Sequence, residues 1–173
     1  MIAPIVLTLP YPISANRYWA TRIVKSGSKQ IAITYVTPEA KAYKAEVAQL
    51  CRIAGVCKCF EGRVRIDVQL YPNRPQDWQK RMRQQGDAWS DSVQCIDLDN
   101  ANKVLLDSLK GIAIDDDKWV RKIVAERMEP DEDGARVVVS IMPLVTLQPQ
   151  VPLFAPDLAA AVARHNAMQS EPF

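Results

Sequence analysis

Two aspartates separated by one residue, Asp97 and Asp99, and a run of three, Asp115, Asp116 and Asp117, bracket the stretch IDLDNANKVLLDSLKGIAIDDD. Carboxylates that converge from separate elements make a ligand set for a hard divalent cation such as Mg²⁺, which keeps waters for a substrate phosphate. Such an ion activates a water and takes up charge on a phosphodiester, and a nearby ammonium can share that charge. Lys103 follows Asp99 by one helical turn and is placed for this role. Asp97, Asp99 and Asp116 are therefore candidate metal ligands and, with Lys103, candidate catalytic residues. The same residues admit a second reading, a capped amphipathic surface helix with an acidic loop after it, because acids in a first helical turn are favoured by the helix dipole. Three adjacent acids in a plain loop gain only repulsion, which weighs against that reading. Without a cation, three carboxylates a few ångströms apart would be strained or partly protonated.

The element that must hold these groups is a helix. Leu98, Ala101, Leu105, Leu109 and Ile112 fall at spacings that keep one face against a core, while Asp99, Lys103 and Asp107 line the other side. Before it, residues 2–9 read as a strand stopped by Pro10, residues 31–36 as a second, and residues 63–71 as a half-exposed strand with clean alternation. Thr37, Pro38 and Glu39 form a helix start, and that helix should run to about residue 54 and close at Gly55. After the acidic run, residues 119–128 and 135–142 read as two strands of a hairpin joined by EPDEDG. The expected fold is α/β (α+β), a mixed sheet with two packed helices. Residues 1–143 form the domain and residues 144–173 a tail, extended and Pro-rich, then helical.

At 173 residues and 48% hydrophobic, the chain can bury the core of one domain. No apolar run reaches the roughly 20 residues that span a bilayer, and the N-terminus lacks a basic region with a cleavage site, so a cytoplasmic protein is expected. The single histidine, His165, argues against nucleases built on a histidine base or a multi-histidine metal site. Cys57 and Cys59 could bind zinc, but no C-x-x-C pair accompanies them, and reduced thiols are expected.

Net charge is +2 but unevenly placed. Residues 17–83 carry 14 Lys or Arg against 5 Asp or Glu, a surplus of +9, whereas residues 84–173 carry 8 against 15, a deficit of −7. A basic half beside an acidic cluster suits a protein that holds a polyanion while a cation sits on its own carboxylates, although two balanced solvated surfaces would look the same. Candidate DNA contacts are Asn16 and Arg17 on the loop PYPISANRY, Lys25 and Lys29 on a basic hairpin tip over residues 22–30, and Asn100 beside the acids. The polar stretch 72–94 adds Arg74, Lys80, Arg81 and Arg83, interleaved with Trp78 and Trp89 and with a short helix near residues 78–85. It reads either as a grip on a DNA arm or as an ordered insertion anchored by its tryptophans.

With those residues set out, the chain resembles the RusA family of Holliday junction resolvases over about residues 2–143. The resemblance is carried by TLPYPISANRYW, DLDNANKVLLDSL and IDDDKWV. It implies a homodimer of small α/β subunits that cuts four-way DNA junctions, in recombination and repair, by paired Mg²⁺-dependent nicks, with Mn²⁺ able to substitute. It places the family's three catalytic aspartates on Asp97, Asp99 and Asp116 and its catalytic lysine on Lys103. It also departs at two places: the third acid sits between two more, Asp115 and Asp117, so that the assignment could fall on a neighbour, and residues 72–94 replace the family's compact basic run. Alternatives in other classes are a DNA-binding or clamp-docking protein without nuclease activity, and a nuclease for forks or flaps. In the tail, Gln150, Leu153 and Phe154 within QVPLF resemble the peptide by which proteins dock on the bacterial sliding clamp. The competing reading has Leu153 and Phe154 covering the domain's own sheet.

Overall fold

The computed structural model describes residues 4–145 apart from Ser28. A four-stranded sheet is built from β1 (Ile5–Pro10), β4 (Val64–Tyr71), β5 (Val120–Arg127) and β6 (Arg136–Pro143), in the order β1-β6-β4-β5. The strand with the cleanest alternation, β4, lies between neighbours on both sides: Val64, Ile66, Val68 and Leu70 are buried and Arg65, Asp67 and Gln69 are only partly so. It pairs antiparallel with β6 and parallel with β5.

Two helices cover the buried face. Helix α2 (Pro38–Ile53) begins as its residues dictate: the Thr37 hydroxyl accepts from the Ala40 amide at 3.2 Å, Pro38 opens the first turn, and Gly55 at φ 84° follows its end. Its Tyr43 hydroxyl donates to the Pro10 carbonyl at 3.1 Å, tying it to β1. Helix α4 (Leu98–Leu109) buries Ala101, Val104, Leu105, Ser108 and Leu109, a wider stripe than the expected one, because Ser108 satisfies its hydroxyl on the Val104 carbonyl at 2.7 Å. This mixed α/β architecture is the one expected.

One expectation is corrected. Strands β5 and β6 follow one another in sequence but do not form a hairpin, since β4 lies between them. The chain leaves β4, passes through α4 and returns beside it as β5 in parallel, which occupies one edge of β4 and leaves the other for β6. Loop residues 128–135 therefore cross an end of β4, where the Met128 amide donates to the Leu70 carbonyl at 2.9 Å.

The basic tip also differs from expectation. One turn of helix, α1 (Ala15–Tyr18), leads directly into β2 (Trp19–Ser26), paired in register with β3 (Lys29–Val36) as a separate hairpin. Residues expected to form a loop thus belong mostly to strands, turning at Gly27 with φ 62°. Nothing described covers this arm, and Ile23 remains 68% exposed.

Residues 72–94 are ordered around α3 (Trp78–Gln85) and a 3-10 segment, Gly86–Ser92. Trp89 is 2% exposed, its indole donates to Glu129 at 2.8 Å, and its ring lies 6.1 Å from that of Trp78. The insertion is anchored by its tryptophans. Among the described residues no helix is long and apolar enough to cross a membrane.

Because α4 fastens both its ends through one buried stripe, Leu105→Ala should lower unfolding stability by about 2–5 kcal/mol, the usual range for emptying a fully buried leucine site. Urea titration measures it, and a loss below ~1 kcal/mol would mean that α4 is not held by this packing.

Candidate functional site

The connection β4-α4-β5 fixes where the acids lie. Since β4 and β5 are parallel neighbours, α4 must run back along the sheet from the end of β4 to the start of β5. Asp97 is the N-cap of α4 and Asp99 sits in its first turn. Asp116 lies at the other end, where it caps the 3-10 turn Asp117–Trp119 that enters β5. Twelve helical residues separate the two ends by about 18 Å.

Asp97 is oriented from two sides. The Asn100 side-chain amide donates to Asp97 Oδ2 at 3.4 Å. The chain entering the helix is held by Tyr11, whose hydroxyl accepts from the Ile96 amide at 3.1 Å and lies 3.2 Å from Cys95 Sγ. Burial, reinforced by the Cys95 contact, pushes the Tyr11 hydroxyl up to about 12. That hydroxyl therefore stays protonated at neutral pH.

The other end is governed by Lys110, the residue that closes α4. Its ammonium lies 2.9 Å from Asp116 Oδ2 and 3.2 Å from Asp117 Oδ1. This bond, followed by the Lys118 amide donating to Asp116 Oδ1 at 3.0 Å, holds the Asp116 carboxyl well below the usual carboxylate range. The same contacts raise Lys110. Asp115 turns elsewhere, accepting from the Trp119 indole at 3.2 Å. Asp115 thus has a donor of its own while Asp116 and Asp117 share Lys110, which answers part of the repulsion that the sequence posed.

Along the exposed side of α4, Lys103 places its ammonium 4.6 Å from the centre of the Trp19 ring. Asp107, one turn on, is raised by burial and then by the Asp117 carboxylate, against the pull of Lys103, Lys110 and Lys44. A charged ridge therefore runs from Asp99 to Asp116.

The donor set of the expected acids is all carboxylate oxygen, which suits Mg²⁺ or Mn²⁺. Geometry within one chain does not suit them. Among the described residues no three Asp, Glu, His or Cys side chains come together closely enough to hold an ion. The structure brings Asp97, Asp99 and Asn100 to one end of α4, Asp116 to the other, and Lys103 between.

The expected DNA contacts separate into two groups. Lys25, Lys29, Lys80 and Arg83 are exposed, the first two at the end of the β2–β3 arm, and Asn16 is exposed on α1. Arg17, Arg74 and Arg81 already have partners: Arg17 pairs with Glu39 at 2.8 Å, and Arg74 lies 4.9 Å from the centre of the Trp78 ring and 3.6 Å from Glu132. Arg81 bridges Asp77 at 2.9 Å and the Ser92 carbonyl at 3.1 Å, bracing α3 against the approach to Asp97. Cys57 and Cys59 join no metal-ligand cluster among the described residues, and Cys59 donates to the Ile112 carbonyl at 3.4 Å. The clamp-peptide residues Gln150, Leu153 and Phe154 lie outside the described residues.

Sequence reasoning missed Tyr11 and Lys110. Tyr11 acts across 85 residues on Ile96, which no local pattern reveals. Lys110 had one local signal, a cation beside Gly111 just before an acidic run.

Compared with known proteins, the chain matches the family described as "Endodeoxyribonuclease RusA" over residues 10–142. That span includes both ends of α4. No curated protein matches the chain.

Replacing Lys110 by Met removes the largest influence on Asp116, whose carboxyl should then titrate upward toward the ordinary value of about 3.9. Carboxyl carbon NMR follows this directly, and an unmoved Asp116 titration would contradict the assignment. The sign for stability follows: a depressed carboxyl stabilises the fold above its unfolded value and loses that contribution as pH falls through its folded one. The wild type's advantage over the Met variant should therefore be present at neutral pH, vanish in strong acid, and be small throughout because the pair is solvent-screened.

Proposed function

Because the chain is a member of the RusA endodeoxyribonuclease family, we propose that it cuts branched DNA, four-way junctions above all, by paired nicks that need Mg²⁺ or Mn²⁺, and that it does so as a homodimer in recombination or repair. The observation that carries this reading is the family match across α4 together with oriented carboxylates at that helix's start. A bound divalent cation would supply the charge that activates a water and stabilises the pentavalent phosphorus. Asp97 and Asp99 would hold it, with Asn100 fixing the Asp97 carboxylate. Lys103, kept beside Trp19, would offer its ammonium to the phosphate oxygens. Lys25, Lys29, Lys80 and Arg83 would bind backbone phosphates and give affinity that falls with salt.

The dimer is part of this reading, because Asp116 cannot join Asp97 without dismantling the fold. It would have to cross the length of α4, and it is fixed there by Lys110 and by the entry to β5. A second copy turned by a two-fold axis removes the difficulty, since antiparallel neighbours bring the end of one α4 to the start of the other. Strand β5 supports such a pairing: it is one of the sheet's two edges, the one at which α4 returns, and Ile123 and Val124 are each 40% exposed. Antiparallel addition of a second β5 would carry the partner's Asp116 toward Asp97 and Asp99, and a two-fold protein would match a two-fold junction. In that arrangement the site takes two acids from one subunit and one from the other.

Cleavage of a synthetic four-way junction beside linear duplex of the same sequence, with Mg²⁺ and with chelator, tests the reading. Symmetric nicks in the junction alone and only with the metal are expected, and Asp99→Asn protein should lose at least about a hundredfold in rate while still binding. Equal cutting in chelator, or of duplex and junction alike, would overturn it. Lys103→Ala should lower the rate about 10²-fold or more with junction affinity changed little, since phosphate contacts are spread over many cations. A parallel fall in binding and rate would make Lys103 an ordinary DNA contact.

A further inference from the structure

A cavity of about 540 Å³ opens beside the start of α4, and nothing in the reading above uses it. Its walls include Tyr11, Asn73, Arg81, Ser92, Gln94 and Cys95. Four of these come from the insertion, whose purpose the sequence left open. Ile96 is also part of the wall, so the cavity reaches to one residue before Asp97.

We propose that this cavity receives one unpaired nucleobase of the DNA substrate, a base next to the phosphate that is cut. The inference rests on the nuclease reading for its location and on the cavity's own chemistry for its ligand. The volume falls within the roughly 300–1,000 Å³ usual for small-ligand sites. The side-chain amides of Asn73 and Gln94 each offer a donor and an acceptor, as the edge of a base requires. Both residues are exposed, and among the described residues neither side chain has a hydrogen-bond partner. Tyr11 supplies an aromatic ring whose position is fixed in advance, because its hydroxyl is engaged by the Ile96 amide and by Cys95. Such a wall can stack a base without being ordered by it.

The charge of the lining decides between a base and a phosphate group. Among the described residues its only cation is Arg81, which is already bonded to Asp77 and to Ser92. The cavity therefore has no unengaged cation with which to cradle a di- or triphosphate, and its neutral amides suit an uncharged heterocycle. A four-way junction supplies such a group at low cost, because bases at the crossover are the least firmly stacked and unstacking is cheapest where pairing is already interrupted. Recognition there would let the protein prefer particular sequences at the cut, with Asn73 and Gln94 as the specificity-determining residues.

The test uses wild-type protein and four-way junctions in which 2-aminopurine replaces single bases within three nucleotides of the nick, held in chelator so that strands stay intact. Binding should raise the fluorescence several-fold at one of these positions, as an unstacked base requires. The Asn73→Leu, Gln94→Leu protein and the milder Gln94→Glu protein should both lose that rise. In Mg²⁺, the ratio of rates between the best and worst crossover sequences should fall about tenfold in the double variant, the order expected for one lost base contact. No rise at any position with wild-type protein, or a rise unchanged in Gln94→Glu, would overturn the proposal. Saturation by deoxynucleoside monophosphates in heteronuclear NMR, without a rise in the junction, would also overturn it in favour of a free nucleotide. If the wild type cuts no junction with Mg²⁺ yet shows the rise, the nuclease reading fails and the base pocket stands.

Discussion

Helix α4 is a rigid spacer, and the remainder of the molecule depends on its being one. It joins two parallel strands that lie side by side, so its ends must stand at opposite ends of the sheet. Its stripe of Ala101, Val104, Leu105 and Leu109 is buried in the core along its length. Carboxylates placed at its two termini can be individually oriented, but a single chain cannot bring them together. Acids that stand close together in the sequence are, in the fold, held at the two ends of one helix.

Each end is held by its own contacts, one of them remote in sequence. Tyr11, on the loop after β1, holds the backbone that delivers Asp97, and its buried hydroxyl remains protonated so that it can serve both Cys95 and Ile96. Lys110 offsets part of the charge at the opposite end, where its ammonium serves Asp116 and Asp117 together while the Trp119 indole takes Asp115. Three adjacent acids are tolerable because no two of them depend on the same donor alone. Asp116 meanwhile stays ionised to low pH, a state suited to a ligand.

Much of the fold could be read from residue order because the signals were local. The Thr37–Pro38–Glu39 start, the alternation of β4 and the apolar stripe of α4 each act within a few residues, and each element formed where those residues placed it. Strand pairing is not local. The turn-rich EPDEDG suggested a hairpin, but the demand of α4 for a parallel neighbour put β5 and β6 on opposite sides of β4. The site was legible in the same uneven way. Spacing picked out Asp97, Asp99, Lys103 and Asp116, whereas the division of the arginines into paired and exposed depended on contacts such as Arg81 with Ser92, eleven residues away. Basic residue type alone does not distinguish a brace from a DNA contact.

In the proposed dimer, acids from the two ends of α4 would act together across two copies of the chain. Subunit mixing separates a shared site from one made within a single chain. Asp99→Asn and Asp116→Asn proteins, each inactive alone, are combined into a purified heterodimer, whose mass and Mn²⁺ stoichiometry are measured alongside nicking of a four-way junction. A shared site gives one centre with all its native acids and one lacking two, so the heterodimer should bind Mn²⁺ at one site and recover about half of the wild-type nicking rate, on one strand per encounter. A heterodimer as inactive and as poor in Mn²⁺ as either parent, beside an active wild type, would show that each site is made within one chain and that the shared site is wrong.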